Sequence, residues 1–482
     1  MSWPSHNSLA ALALTLALAA ASRSLAASIV QRADDSTAAP HAAQYPPGVR
    51  AAIAAYERGD YDTAQREIQP LLKANPNSFR LNELAGLLEA AHKDDQLANP
   101  YLAKAVRLAP NNSAARTALA MNLMRLHRAA DAEIQFRKAA ELEPSNHDAN
   151  HNLGEFYIQS GKVAAAIPSL KRAQDLQPAD YNNGYDLALA YEQTGKLDDA
   201  RRQLQALVKI RDTAELHSVL GEVEEKSKNY LAAAREYEQA ARIEPSENNI
   251  FDLGAELLLH QTFEPALAVL RAGAQKYPAS ARLALGLGVA LYGNSHYDEA
   301  AAQFFRVSDA DRSDPLPLLF LGRSYDNFSP AVAEQVRARL KQAAETFSQN
   351  AQVQYFYAAA LWKLHQDNAD AAALPEIESL LRRAVALDPR YGDAYLQLGI
   401  ALASRRKYAD AIAQYRQALK YSAMTAPVHY RLGQALSRTG DTAAAQHELA
   451  IFEQQRAKET GAAEQQNAAV EQFVYTMKKP GE

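Results

Sequence analysis

The feature that most constrains this chain is a repeat of 34 residues. Four prolines stand at this spacing: Pro76, Pro110, Pro144 and Pro178. Three others stay near the same phase: Pro245, Pro278 and Pro389. The chain is 482 residues long, too long for one ordinary hydrophobic core. A period of this length therefore favours an array of stacked helix pairs over a single globular fold.

Small residues recur in phase with the prolines when windows of this length start at Tyr45. The eighth place holds Ala52, Gly86, Ala120, Gly154, Ala188, Gly221, Gly254, Gly288, Gly322, Ala358, Gly399 and Gly433. The twentieth place holds Ala64, Ala98, Ala132, Ala166, Ala200, Ala233, Ala266, Ala300, Ala411 and Ala445. Small side chains let two antiparallel helices approach closely, so these places predict the contact within each helix pair.

One window shows what each residue type does. Gly154 lies in a first helix, and Gly161 ends that helix with the backbone freedom of a C-cap. Ala166 and Ala173 let the second helix pack against the first, and Pro178 stops the second helix. Larger residues are expected to fill the space beside the contact: Tyr157, Leu170, Tyr191, Leu204, Tyr237, Phe304 and Tyr415.

This pattern closely resembles the tetratricopeptide repeat family, over residues 45–457 and in about twelve windows. The resemblance implies an all-α fold, a right-handed α-solenoid of about twelve antiparallel helix pairs, which we expect to occupy 45–460. It also implies that a concave groove, lined by the first helix of each pair, binds a peptide or protein. Basic residues that some family members use to clamp a C-terminal carboxylate are not evident at the matching places.

The repeat becomes irregular over 315–391. Ser329 is expected to cap a second helix that begins at Pro330, but the small residues that follow are out of phase. The next window carries an extra segment, His365 to Pro375, which is predicted to form a loop. Beyond the array, 461–482 is predicted to form a C-terminal capping helix and tail that covers the last repeat.

The N-terminus predicts export. Residues 1–26 are interpreted as a signal peptide, with an apolar run from Ser8 to Ser22 and small residues at Ser24 and Ala26 for cleavage. Residues 27–44 are rich in Ala, Pro and polar residues and are expected to form a flexible linker. The expected location is periplasmic or extracellular, with no integral membrane domain after cleavage. An uncleaved segment that anchors the chain in the membrane is the alternative, because no Lys or Arg precedes the apolar run.

The amino-acid composition argues against several classes of function. The net charge is −5 with Lys and Arg spread throughout, which argues against a nucleic-acid-binding protein. The absence of cysteine excludes disulfides, thiolate metal sites and a cysteine nucleophile. No glycine-rich phosphate loop or nucleophile elbow is present, so we predict no catalytic residues, no cofactor and no enzyme activity.

The sharpest candidate for catalysis is the stretch from His147 to His151. Its two histidines have the spacing of a zinc-protease motif, with Asp148 in the place of the expected Glu and Glu155 one turn further on. His147 begins the window, so its ring is not expected to converge with the other on one metal. The preferred interpretation is that His147 and Asp148 are solvated residues at a helix start and that no metal binds.

Binding of a partner molecule is the class of function that remains. Projection of the helical phase onto the groove predicts these lining residues: His151, Glu155, Tyr185, Glu192, Glu222, Glu225, Tyr355 and Trp362. The four glutamates would suit a basic or amphipathic partner segment. We therefore predict an exported scaffold that binds a protein or peptide partner, in cell-envelope or secretion assembly. A glycan-binding repeat protein and a metal-dependent hydrolase are the alternatives; the sequence predicts neither the partner's identity nor the oligomeric state.

Overall fold

The computed structural model describes residues 46–368, 373–422, 425–456 and 458. The predicted signal peptide, linker and C-terminal capping helix lie outside these residues. The chain divides into two compact units, with the boundary between Ile210 and Arg211. In the described residues, both units are all-α solenoids of consecutive helix pairs, as predicted.

Five helix pairs make up the described part of the first unit. The helices are α1 Pro47–Glu57, α2 Tyr61–Ala74, α3 Phe79–Ala91, α4 Asp95–Leu108, α5 Ser113–Arg125, α6 Ala129–Leu142, α7 His147–Gln159, α8 Val163–Leu176, α9 Tyr181–Gln193 and α10 Leu197–Ile210. Odd-numbered helices are the first helices of their pairs. From α3 to α10, first helices have 13 residues and second helices have 14.

Seven helix pairs make up the described part of the second unit. The helices are α11 Ala214–Lys226, α12 Tyr230–Ile243, α13 Glu247–Leu259, α14 Phe263–Lys276, α15 Ala281–Gly293, α16 Tyr297–Ala310, α17 Leu316–Arg323, α18 Pro330–Thr346, α19 Ala351–Asn368, α20 Leu374–Leu387, α21 Gly392–Ser404, α22 Tyr408–Tyr421, α23 Ala426–Thr439 and α24 at 442–456. A single 3₁₀ turn, Tyr325–Asn327, follows α17.

Local chemistry sets the ends of these helices. Asn146 precedes α7, and its side-chain oxygen accepts a hydrogen bond from the Ala149 N–H at 3.1 Å, which caps the first turn. Gly161 follows α7 with a φ of 70°, the left-handed conformation that glycine adopts without strain. Pro178 lies just beyond the end of α8, as predicted.

In seven of the described pairs, the close contact joins a glycine of the first helix to a large residue of the second. A Cβ atom built on Gly154 would lie 2.5 Å from the side chain of Leu170, which is fully buried. Ala166 is also fully buried. The same relation joins Gly86 to Leu102, Gly221 to Tyr237, Gly254 to Leu270, Gly288 to Phe304, Gly399 to Tyr415 and Gly433 to Leu449. The predicted close contact is therefore confirmed at these pairs.

Helix lengths change within the segment for which irregularity is predicted. Helix α17 has only 8 residues, whereas α18 has 17 and α19 has 18. Pro330 begins α18 as expected, and Ser329 occupies the N-cap position, but its side chain makes no capping hydrogen bond. The predicted loop from His365 to Pro375 is wrong at both ends, because α19 continues as a helix through Asn368 and α20 begins at Leu374. The first residues of the extra segment therefore lengthen α19 and do not form a loop.

Enlarging the small residue of one pair should destabilise the fold. We expect Gly154→Leu to lower the free energy of unfolding by about 1–3 kcal/mol, because the new side chain would overlap Leu170. Thermal or urea unfolding of the full chain measures the effect. Ala164→Leu is the matched control, since Ala164 is exposed on α8 in the same helix pair. Equal stability of the two variants would show that Gly154 is not at a close helix contact.

Candidate functional site

The predicted groove residues lie on the first helices of the pairs, and we call the surface that these helices form within one unit the first-helix face. In the first unit, α7 carries His151 and Glu155, and α9 carries Tyr185 and Glu192. His151 and Glu192 are each 8% exposed, so both are less accessible to a partner than the sequence predicts. Glu155 and Tyr185 are half-buried.

His151 connects two neighbouring helix pairs. Its Nδ1 atom lies 3.1 Å from Oδ1 of Asn183, which is fully buried on α9. Its ring stacks on the ring of His147, with centroids 5.8 Å apart and planes 7° from parallel. These contacts hold the His151 ring between α7 and α9, which is a structural role.

His147 is buried and not solvated, which corrects the sequence interpretation. It is 6% exposed, with Nδ1 2.9 Å from Asp148 Oδ1 and Nε2 3.0 Å from Asp180 Oδ2. Burial lowers its pKa, but the hydrogen bonds and charges of the two carboxylates outweigh burial and raise the pKa to about 9. The ring is therefore cationic at neutral pH, and it links α7 to the residue that caps α9.

Asp186 is a residue of this face that the sequence interpretation missed. It lies on α9 and is half-buried. Burial, together with the negative charges of Glu155 and Asp180, raises its pKa to about 7. Asp180 faces the His147 cation, whereas within the described residues Asp186 has no hydrogen-bond or ion-pair partner. The face therefore carries a carboxyl group that forms no ion pair with any described residue.

A similar acidic group lies on the first-helix face of the second unit. Glu222 is exposed on α11, and half-buried Glu225 accepts a hydrogen bond from the Tyr237 hydroxyl at 3.4 Å. Burial raises the pKa of Asp252, on α13, to about 6; the charge of Arg282 opposes this shift, and that of Glu225 adds to it. The sequence interpretation found the two glutamates and missed Asp252.

The two aromatic candidates lie on α19, and both pack against the hydrophobic core. Tyr355 is half-buried, with its ring 4.9 Å from the ring of Tyr391 and 5.2 Å from the ring of Phe356. Trp362 packs against the hydrophobic core, and its ring lies 5.4 Å from that of His365. Both side chains thus contribute to packing, and Tyr355 in addition belongs to an aromatic group.

Models of tetratricopeptide repeats match the sequence at five places. Matches described as tetratricopeptide repeat cover 49–113, 117–181, 157–223 and 252–315, and one described as TPR repeat covers 401–440. Together they span more than half of the chain. The chain belongs to the tetratricopeptide repeat family.

Solved structures with a similar fold include other tetratricopeptide repeat proteins. YrrB, described as a TPR protein with an unusual peptide-binding site, is 19% identical, with 39% of this chain and 97% of that chain covered and a TM-score of 0.36. PilW, a type IV pilus biogenesis factor, is 22% identical, with coverages of 44% and 96% and a TM-score of 0.35. The APC/C hetero-tetramer Cut9–Hcn1 is 14% identical, with coverages of 84% and 93% and a TM-score of 0.37. Comparison with curated protein sequences gives no significant match.

The described residues also bear on the metal-dependent hydrolase, one of the alternatives that the sequence leaves open. In the described residues, no group of three or more His, Cys, Asp or Glu side chains is placed to hold a metal ion. His147 and His151 stack on each other, and their ring nitrogens face Asp148, Asp180 and Asn183. Among the described helices, none is both long enough and apolar enough to cross a bilayer.

The raised pKa of Asp186 predicts a pH-dependent gain of stability in Asp186→Asn. The folded pKa is about 7, above the ordinary 3.8, so ionisation of this carboxyl destabilises the fold increasingly between these two values. The variant cannot ionise there, and its thermal midpoint should exceed that of the wild type at about pH 8 and match it at about pH 4. Thermal unfolding at both pH values measures this. A gain at pH 4 as large as that at pH 8 would contradict the electrostatic explanation.

Proposed function

We propose that this chain is a scaffold that binds a protein or peptide partner on its first-helix face, without turnover. The observation that carries the proposal is the pair Glu155 and Asp186, on neighbouring first helices of the first unit. Their mutual repulsion contributes to the raised pKa of Asp186, and no cation of the described chain relieves it through an ion pair with Asp186. A Lys or Arg side chain from a partner would supply the missing charge.

The charge on this face suits a basic or amphipathic partner segment. In the second unit, Glu222, Glu225 and Asp252 provide the same sign of charge on α11 and α13. Half-buried Tyr185, stacked on Tyr181 with ring centroids 6.2 Å apart, adds apolar surface in the first unit. Electrostatic complementarity of this kind raises the association rate and sets the register of the bound segment more than it raises the affinity.

We further propose that the scaffold is exported and acts in cell-envelope or secretion assembly. The support is the N-terminal sequence, in which an apolar run from Ser8 to Ser22 precedes the small residues Ser24 and Ala26. The Ala- and Pro-rich linker that follows would separate the repeats from the cleavage site. Cell fractionation, with N-terminal sequencing of the mature chain, tests this part: an intact Met1 in the cytoplasm would overturn it.

A charge-removing variant tests the binding surface. Glu155→Gln combined with Asp186→Asn should weaken partner capture and flatten its dependence on salt, because salt screens the attraction between charges and the variant lacks two of them. The measurement is a crosslinking pulldown from native envelope fractions over a series of salt concentrations. Since Asp186→Asn is expected to stabilise the fold at neutral pH, weaker capture would not reflect unfolding.

The matched control removes the same charge from the second helices. Asp175→Asn and Asp198→Asn change exposed residues of α8 and α10, which pair with Lys171 and Arg201. Capture by this control should match that of the wild type at every salt concentration. If the control and the first-helix variant lose capture equally, net charge and not the first-helix face attracts the partner.

A further inference from the structure

The second unit contains a polar and aromatic cluster to which the proposed function gives no role. It comprises Arg323, Asp326, Tyr355, Tyr391 and Asp393. These residues come from the end of α17 and its 3₁₀ turn, from α19 and from the start of α21. Three successive first helices therefore contribute to it, and we call it the Tyr355 cluster.

Close backbone packing builds the cluster. A Cβ atom on Gly322 would lie 2.4 Å from Cβ of Phe356, so the end of α17 lies directly against α19. Helix α17 stops there, and the turn that follows places Asp326 near Tyr355. At the other side, a Cβ atom on Gly392 would lie 2.4 Å from the Ser422 backbone nitrogen, which holds the start of α21 in place.

The two tyrosine rings form the centre of the cluster. Their centroids are 4.9 Å apart with planes 56° from parallel, and both side chains are half-buried. Burial and the charges of Asp393 and Asp326 raise the pKa of Tyr355 to about 12. Burial raises the pKa of Tyr391 as well; Tyr355 and Asp393 add to the shift, and Arg323 opposes it. Asp393 thus acts on both tyrosines, and Asp326 acts on Tyr355.

The polar groups of the cluster are not satisfied by the described chain. Within those residues, the five side chains of the cluster have no hydrogen-bond or ion-pair partner. A buried tyrosine hydroxyl usually finds a hydrogen-bond partner, and here two half-buried hydroxyls lack one. The cluster contains two carboxylates, Asp326 and Asp393, and one guanidinium, Arg323. It therefore carries a net negative charge beside its two aromatic rings.

We propose that the Tyr355 cluster is a subsite for one cationic side chain, lysine or arginine, of a bound polypeptide. A cation near an aromatic face is attracted by the quadrupole of the ring, and carboxylates at its edge add charge attraction and accept its hydrogen bonds. The subsite lies on the first-helix face of the second unit and takes its ligand from a polypeptide, so it rests on the proposed function. It adds a specific residue type that the partner presents at this place.

A pair of capped glycine peptides tests the cation directly. One peptide has a single central lysine, and the other has norleucine, which keeps the aliphatic chain and lacks the charge. Ligand-observed saturation-transfer NMR on the full chain gives both dissociation constants. We expect the lysine peptide to bind about two- to fivefold more tightly, the range of an exposed cation–π contact. Equal binding of the two peptides would overturn the proposal.

Single substitutions test whether the lysine peptide binds at the Tyr355 cluster. Asp393→Asn and Tyr391→Leu should each weaken binding of the lysine peptide and leave that of the norleucine peptide nearly unchanged. Asp393 is exposed, so its variant is expected to fold even if Tyr391→Leu does not. Asp410→Asn is the control, since Asp410 is exposed on the second helix α22. If Asp393→Asn leaves binding of the lysine peptide unchanged, the proposal is overturned.

The same titration separates this inference from the proposed function. If Glu155→Gln with Asp186→Asn abolishes lysine-peptide binding while Asp393→Asn has no effect, the acidic face of the first unit stands and the Tyr355 subsite fails. If the lysine peptide responds to Asp393→Asn but partner capture is insensitive to the first-unit variant, the subsite stands and the proposed binding face fails.

Discussion

The contact between a small residue of a first helix and a large residue of the second helix of the same pair is the interaction on which the rest of the structure depends. Leu170 occupies the space that a side chain at Gly154 would need, and Tyr237 does the same at Gly221. A contact this close allows one register between the two helices, because a shift by one residue would place a larger side chain against the neighbouring helix. Each pair therefore presents the same positions of its first helix away from the contact.

That fixed register explains why charged residues gather on the first-helix face. In the first unit it sets Glu155 beside Asp186, and in the second unit it sets Glu225 beside Asp252. Repulsion between like charges works against the fold, and burial of the carboxyls adds to it. Such strain is common at sites whose ligand supplies the opposite charge, which is why the proposed partner is basic.

The sequence predicts the fold far better than the site. Outside 315–391 the small residues are periodic, so one chain is enough to identify the helix pairs there. Asp186 and Asp252 occupy the sixth place of their windows, but other windows have Asn152 or Gly286 at that place. The residue type at this place does not repeat, so the sequence period does not single out the two aspartates. The burial of His147 depends on Asp180 of the next pair, a contact between windows that helical phase alone does not contain. The contact of Asn183 with His151 likewise joins neighbouring pairs.

The most direct test of the account is photo-crosslinking in the native cell from two single positions. A photoreactive amino acid would replace Tyr185, on the first-helix face, or Ile134, which is exposed on the second helix α6. The account predicts a discrete crosslinked product from position 185, with a Lys- or Arg-containing segment of the partner identified by mass spectrometry, and none from position 134. A product from position 134 alone would contradict it.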